Sequence, residues 1–244
     1  MNKLFIFLLF LTINILNALD EIDLNFVNEP QFTNLESDIK KLNTVLSAQK
    51  NAHLNIFAGK IIKQNHSDSL LIDTLNKLKC NLAVPVDFTF EKPKLKPKFK
   101  ILSSNISASN LNIYKTYTIK TDSMKIALIA VYTPDVLVYG KISSNAKFDY
   151  DFFKKIRNKA NELKKKGVDK IILVSNLSKT IDKKITMNTP IDAVLSFDYK
   201  KRDSGWLSKN VKFYSVLSYK RKFGKLKIIY NKGKIKLRWA TVKF

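Results

Sequence analysis

The chain alternates short apolar runs with stretches whose apolar residues recur every three or four positions, a pattern typical of alternating strands and helices. The apolar runs predict strands at 22–27, 53–58, 82–86, 101–103, 114–119, 124–132, 168–175, 194–196, 211–217, 226–230 and 235–242. The helical spacing predicts helices at 35–46, 68–78 and 152–163. This order favours an α/β fold with a mostly parallel first part and an antiparallel end.

Local sequence signals support several of these boundaries. Ser67 or Asp68 is a suitable N-cap for the second helix, because a side-chain oxygen there can accept a hydrogen bond from the first helical turn. Three lysines followed by Gly167 predict the end of the third helix. The stretch 231–234, which reads Asn-Lys-Gly-Lys, predicts a hairpin turn between the last two strands.

The first 18 residues have the pattern of a secretory signal peptide. Lys3 supplies the positive start, residues 4–16 are almost entirely apolar, and Ala18 ends a suitable cleavage site. An uncleaved membrane anchor is the alternative, but the apolar run is shorter than the about 20 residues that span a bilayer. We therefore expect a signal peptide at 1–18, a single domain at 19–244 without a further transmembrane span, and export to the periplasm or the exterior.

The net charge of the chain is +24, and it is unevenly distributed. Residues 20–38 contain six acids and no lysine or arginine, whereas residues 195–244 contain fifteen cations and two acids. A charge of this size attracts anionic partners over a long range. We expect the partner to be an anionic polymer, of which nucleic acid is one example, an anionic lipid or an acidic envelope protein. The alternative is compositional drift in a chain rich in Asn and Ile.

Three basic clusters are the candidate anion-binding sites. In the first, lysines alternate with other residues and Pro93 and Pro97 stiffen the segment, so that in an extended chain the lysines share one side. The alternative for this segment is a solvated loop. The candidate residues are Lys92, Lys94, Lys96, Lys98 and Lys100 in the first cluster, Lys200, Lys201 and Arg202 in the second, and Lys220, Arg221 and Lys222 in the third.

Five short segments follow one another in an order that has a counterpart in a known family. They are Phe57-Ala58-Gly59-Lys60, Leu102-Ser103-Ser104-Asn105-Ile106, 125–131, 167–178 and 190–200. In this order, with helical patterns between them, they resemble the N-terminal domain of the 5'-nucleotidase family, a branch of the calcineurin-like metallophosphoesterases. The resemblance extends over most of the chain from about Ile22. It implies two packed mixed β-sheets flanked by helices, the αββα sandwich of that superfamily.

The resemblance also implies a two-metal phosphatase site, but this chain departs from the family's ligand motifs. The family holds both metal ions on five loops at strand ends. At the matching positions this chain has Asn28, Lys60, Asp87, Asn176, Asp198 and Lys200. Lys60 stands where the family has the aspartate that bridges both ions. The two histidines of the chain, His53 and His66, lie on none of the motifs.

We therefore expect a pseudoenzyme without a cofactor, an exported metallophosphoesterase-like protein that acts by binding an anionic partner or within an envelope assembly. The alternative is a divergent metal-dependent phosphoesterase that uses Asp87, Asp198 and Asn176 around a single metal ion. A third interpretation is a structural envelope component whose basic surface docks an acidic protein or anionic lipid.

Overall fold

The structure, a computed structural model, describes residues 20–49, 52–63, 66–85, 88, 94–132, 146–197, 204–216 and 221–244, and the predicted signal peptide lies outside these residues. The strands are β1 (Asp20–Asn28), β2 (Ala52–Gly59), β3 (Leu82–Pro85), β4 (Lys100–Leu102), β5 (Ile106–Ala108), β6 (Ile113–Tyr114), β7 (Tyr117–Lys120), β8 (Lys125–Val131), β9 (Ala146–Phe148), β10 (Lys170–Ser175), β11 (Ala193–Ser196), β12 (Ser204–Trp206), β13 (Lys212–Ser215), β14 (Lys222–Asn231) and β15 (Lys234–Lys243). The helices are α1 (Leu35–Ala48), α2 (Asp68–Lys77), α3 (Phe152–Lys165) and α4 (Lys179–Met187).

Within the described residues the strands form two mixed sheets and one small strand pair, β5 with β9. The first sheet has the order β15-β14-β1-β2-β3-β4-β6. Its strands β1, β2, β3, β4 and β6 run parallel, while β14 pairs antiparallel with β1 and β15 pairs antiparallel with β14. The second sheet has the order β12-β13-β11-β10-β8-β7, with a parallel centre and antiparallel edges. In open sheets of this kind, ligand sites form at the carboxyl ends of the parallel strands.

The main hydrophobic core lies between the two sheets. It joins Leu24 and Ile56 of the first sheet to Leu128 and Val174 of the second, and all four side chains are fully buried. The same cluster includes the buried faces of α1 and α2. A second cluster packs α3 and α4 against the other face of the second sheet. The structure therefore confirms the predicted α/β class, with two packed mixed sheets flanked by helices.

Two of the sequence predictions need correction. The strand predicted at 114–119 is two short strands in different sheets, because Tyr114 pairs in the first sheet and Tyr117 pairs in the second. An alternating pattern shows which residues are extended, but it cannot show that the chain changes sheets. Helix α4 was missed because Ile181 and Ile185 are its main apolar residues in a segment rich in lysine and threonine.

The predicted helix boundaries and the hairpin turn are confirmed. The hydroxyl of Ser67 accepts a hydrogen bond from the N–H of Leu70 at 3.3 Å and caps α2. In the hairpin between β14 and β15, Lys232 and Gly233 have φ values of 48° and 77°, as a tight turn of this type requires.

Replacing Gly167 with alanine should lower the free energy of unfolding by about 1 kcal/mol. Gly167 follows α3 with φ of +73°, a left-handed conformation that a Cβ atom disfavours. No other atom is close enough to meet the added Cβ, so the cost comes from the backbone alone. Urea denaturation measures the change. Asn158→Ala, at an exposed position of α3, is the control and should be neutral or slightly stabilising. Equal stability of Gly167→Ala and wild type would contradict this prediction.

Candidate functional site

Asn28 lies where the carboxyl edges of the two sheets meet. It is the last residue of β1 and its side chain is fully buried. Its Nδ2 donates a hydrogen bond of 2.6 Å to the carbonyl of Val216, which directly follows β13 of the second sheet. This bond joins the two sheets at the corner where the family resemblance puts its first ligand motif.

Gly59 and Glu29 pack against each other at the same corner. Gly59 ends β2 with φ of +73°, and a Cβ atom there would lie 2.3 Å from Cγ of Glu29 and 3.1 Å from Oδ1 of Asn28. Glycine is therefore required by the close approach as well as by the backbone. The N–H of Glu29 donates to the carbonyl of Ala58 at 2.9 Å. Glu29 is a site residue that the sequence pattern did not single out, although its place directly after β1 indicates it.

Lys60 follows the end of β2 and is half-buried. Its carbonyl accepts a hydrogen bond of 3.3 Å from the N–H of Gln31, which holds the loop after β1 beside the loop after β2. No carboxylate within the described residues pairs with the Lys60 ammonium. Asp87, Asp198 and Lys200 lie outside the described residues, so the roles predicted for them stay predictions.

Asn176 belongs to a loop that is tied to α4. It directly follows β10 and is half-buried. The preceding Ser175 donates a hydrogen bond of 2.8 Å to Oδ1 of the fully buried Asp182, and it accepts one of 3.0 Å from the N–H of Leu177. Ser178 then caps the first turn of α4. The conformation of this loop is therefore fixed by bonds to its own helix, through a buried acid that sequence spacing alone does not reveal.

The described side chains at this corner do not by themselves make up a two-metal centre. Such a centre needs imidazoles and carboxylates that converge on each ion. The described groups here are the Asn28 amide, whose nitrogen donates to a carbonyl, the Glu29 carboxylate and the Lys60 ammonium. His53 lies near the start of β2, and His66 precedes α2. Across the described part of the chain, no group of three His, Cys, Asp or Glu residues could hold a metal ion.

The segment 94–100 packs on α2 through its backbone. Two of its N–H groups donate hydrogen bonds, one to Oγ of Ser69 at 2.9 Å and one to Oδ1 of Asn76 at 2.8 Å. The exposed lysines are Lys94, Lys96, Lys98 and Lys100. Leu95 is also 45% exposed, so the segment departs from the strict alternation that an extended strand would show. Lys92 lies outside the described residues.

Two of the candidate cations already have partners within the protein. Nζ of Lys100 lies 5.0 Å from the ring centroid of Tyr114 and 4.9 Å from that of Tyr117, which is a cation–π geometry. The guanidinium of Arg221 lies 2.6 Å from Oδ1 of the buried Asp38. A phosphate or carboxylate partner would therefore have to compete with these internal contacts.

The acidic and basic ends of the chain neutralise each other in part. Strand β1 carries three of the six early acids and lies antiparallel to the basic β14. As a result Lys225 pairs with Asp23 at 2.8 Å, and Lys227 pairs with Glu21 at 2.6 Å. Lys222 is described and half-buried. The candidates outside the described residues are Lys200, Lys201, Arg202 and Lys220.

The sequence matches no protein-family model and no curated protein. The structure is similar to the NAD nucleotidase of Haemophilus influenzae, with a TM-score of 0.66 and 16% identity, over 92% of this chain and 49% of that one. It is similar to the 5'-nucleotidase precursor of Thermus thermophilus, with a TM-score of 0.66 and 15% identity, over 92% and 54%. A phosphatase of Mycoplasma pneumoniae gives a TM-score of 0.59 and 12% identity, over 93% and 95%.

The fold is therefore the one found in 5'-nucleotidases and metallophosphoesterase-like phosphatases, as the sequence resemblance implied. At these identities the likeness establishes the fold alone. The chain spans about half the length of the two nucleotidases. In the described part of the chain, every helix is too short or too polar to cross a membrane.

Proposed function

We propose that this protein is an exported, non-catalytic member of the metallophosphoesterase fold that acts by binding an anionic partner. The side chains at the ends of β1 and β2 carry the proposal, because among the described residues no group of three His, Cys, Asp or Glu could hold a metal ion there. The hydrogen bond from Asn28 to Val216 engages Nδ2 in joining the two sheets, so the one metal-ligating atom that Asn28 could offer is its amide oxygen, where the family resemblance implies a stronger, carboxylate ligand. Lys60 adds a positive charge at the same edge, and a like charge opposes the binding of divalent cations.

A divergent single-metal phosphoesterase is the second candidate. It is favoured by the Glu29 carboxylate, which lies beside Gly59 at the same corner. One carboxylate and the predicted Asp87, Asp198 and Asn176 could supply oxygen ligands to a single hard cation. The two candidates differ in whether a metal ion binds and in whether phosphate esters are cleaved.

The protein should show no hydrolysis of nucleotides or sugar phosphates with Mg²⁺, Mn²⁺, Zn²⁺ or Ca²⁺. Product release is measured against an Asp87→Ala, Asp198→Ala double variant, which gives the background rate. We expect the same rate for both proteins, because the described residues at this corner do not supply the ligands that a two-metal attack needs. A metal-dependent rate that the double variant abolishes would establish the single-metal phosphoesterase instead.

Thermal unfolding provides a readout that is independent of activity. A ligand that binds the folded state raises the midpoint of thermal unfolding. Because we expect no metal ion to bind, the metal ions named above should leave the midpoint of the wild type unchanged. Asn28→Asp should lower the midpoint, because a carboxylate cannot donate to the Val216 carbonyl. If Asn28 were a metal ligand, the same variant would instead gain stability when metal is added.

The charge of the protein supports an anionic partner. The net charge of +24 already counts every acid, so internal pairs such as those of Arg221, Lys225 and Lys227 leave this excess of positive charge unchanged. Among the described residues, the exposed Lys94, Lys96 and Lys98 and several exposed cations of α3 and α4 form no ion pair and can contact a partner. Binding through such cations should weaken as the salt concentration rises.

A further inference from the structure

A recess of about 250 Å³ lies between α3 and α4, on the helical layer of the second sheet. Its apolar lining comes from Phe153 of α3 and Ile185 of α4. The end of α4 and the residues after it close one side, through Asn188 and Thr189. We call this recess with its rim the α3–α4 groove.

Exposed apolar side chains belong to this groove or to its chain neighbours. Phe153 is 41% exposed and stacks on Phe152 with ring centroids 4.7 Å apart. Because Phe152 is buried, this contact holds the Phe153 ring in place at the surface. Met187 is 65% exposed and immediately precedes Asn188 of the lining. Tyr150 is 68% exposed at the start of the segment that leads into α3. Exposed apolar side chains grouped beside a recess are typical of binding surfaces.

The rim of the groove is positively charged. It carries Lys154 and Arg157 on α3 and Lys184 on α4, and all three side chains are exposed. Among the described residues, none of these three forms a salt bridge, whereas Lys155 of the same helix pairs with Asp149. The one acid that lines the groove in the described structure is Asp151. An occupant with negative charge therefore gains three cations that have no internal ion pair.

We propose that the α3–α4 groove binds an acidic peptide segment of a protein partner, with one apolar side chain of that segment in the recess. The cations at the rim pair with acids on either side of the apolar residue. A concave site with a small apolar floor suits a side chain, whereas a lipid bilayer presents a flat surface that does not enter a recess. This proposal rests on the proposed binding function and names its surface and its partner.

The test uses the whole mature chain and arrays of short synthetic peptides. In one set a Leu, Phe or Trp is flanked by Asp and Glu; in matched sets the flanking residues are Ser or Lys. We expect the acidic set to bind and the Ser and Lys sets to bind at least about tenfold more weakly. The binding of the acidic set should weaken as salt is raised from low to physiological concentration.

Two variants separate the charged rim from the apolar floor. The triple variant Lys154→Glu, Arg157→Glu, Lys184→Glu and the single variant Phe153→Ser should each reduce peptide affinity by about tenfold or more. The matched control is Lys40→Glu, Lys41→Glu, Lys79→Glu, which changes the net charge equally at exposed positions outside the groove and the candidate anion-binding clusters and should bind as wild type does. Circular dichroism and the unfolding midpoint confirm that each variant is folded.

Three results would overturn the proposal: no peptide binding by wild type, an equal loss in the groove and control triple variants, or binding to phosphatidylserine vesicles but not to the acidic peptides. The third result would assign the surface to a membrane. These outcomes are separate from the hydrolysis assay. If the protein neither hydrolyses phosphate esters nor binds the peptides, the proposed non-catalytic function stands and only the peptide-binding role of the groove is rejected. If it shows metal-dependent hydrolysis, the proposed function is rejected whether or not the groove binds peptides.

Discussion

Asn105→Ala should lower the free energy of unfolding by about 3 kcal/mol. Asn105 follows β4 of the first sheet and is 1% exposed. Its Nδ2 donates to the carbonyl of Tyr132 at 2.7 Å, and its Oδ1 accepts from the N–H of Tyr132 at 3.0 Å. Tyr132 directly follows β8 of the second sheet, so one side chain bonds both backbone groups of the residue that ends this strand's path. Alanine removes both hydrogen bonds, and each buried backbone group that loses a partner costs about 1–3 kcal/mol.

The neighbouring contacts show why this position is sensitive. The N–H of Ser104 donates to the carbonyl of Ala130 at 2.7 Å, and the N–H of Asp149 donates to the Asn105 carbonyl at 2.7 Å. The Asn105 side chain is thus part of a buried connection between the two sheets, where little water can replace it.

Guanidinium denaturation at neutral pH measures the effect, and Asn112→Ala is the matched control. Asn112 is exposed, and its side-chain amide donates only to the hydroxyl of Tyr114 at 3.2 Å. The control should change the free energy of unfolding by less than about 0.5 kcal/mol. If Asn105→Ala cost no more than Asn112→Ala, the connection between the sheets through Asn105 would have no energetic importance.

Much of the fold could be predicted from the sequence because its long elements have strong periodicity. Strand β10 is a run of buried apolar residues, and α3 buries Ile156, Ala160 and Leu163 at helical spacing. Short elements could not be predicted, because they are too short for an apolar period to be visible. Strands β5, β9 and β12 have three residues each, too few to show a period.

The candidate site could be predicted in part, because the resemblance tied positions to strand ends. Asn28 and Lys60 do lie at the carboxyl ends of β1 and β2. The bonding of Asn28 to Val216 could not be predicted, since the two residues are 188 positions apart and meet only when the sheets pack. Glu29 could not be predicted from the resemblance, because it stands on none of the family's ligand positions.

Charge clusters in the sequence do not reveal which cations already have partners. Arg221 stands in the basic run 220–222 and was therefore grouped with the anion-binding candidates. In the structure its guanidinium meets Asp38, which is 183 positions earlier in the chain. The α3–α4 groove is the opposite case: its cations come from two helices and form no run in the sequence, so the cluster could not be predicted.

Arg221→Met should lower the free energy of unfolding by about 2 kcal/mol at neutral pH, because it leaves a buried carboxylate without its cation. Asp38 is 3% exposed. Besides its contact with Arg221, it accepts hydrogen bonds of 3.3 Å from the N–H groups of Thr33 and Asn34 at the start of α1. These two bonds remain in the variant, so the cost is smaller than for an acid that loses every partner.

The cost should depend on pH in a direction fixed by Asp38. Burial alone would raise the pKa of this carboxyl, but the hydrogen bond and charge of Arg221, together with the N–H groups of Asn34 and Thr33, hold the pKa below its ordinary value. A lowered pKa in the folded state adds stability at pH values above the unfolded value of about 3.9, and this stability is lost as the pH falls through the folded value. The difference between wild type and Arg221→Met should therefore be largest near pH 7 and should shrink below about pH 4.

Lys232→Met is the matched control for the pH series. Lys232 is an exposed cation with φ of 48°, close to the 57° of Arg221, so both variants remove one positive charge from a left-handed residue. The control should have little effect at any pH, because the described structure shows no ion pair of Lys232. A cost of Arg221→Met that stays constant between pH 7 and pH 3, or that only equals the control, would show that the pair with Asp38 does not stabilise the fold. If the cost follows the predicted pH dependence, then Arg221 stabilises the start of α1 through Asp38. A loss of anion binding in Arg221 variants would then reflect a weakened fold rather than a missing contact with the anion.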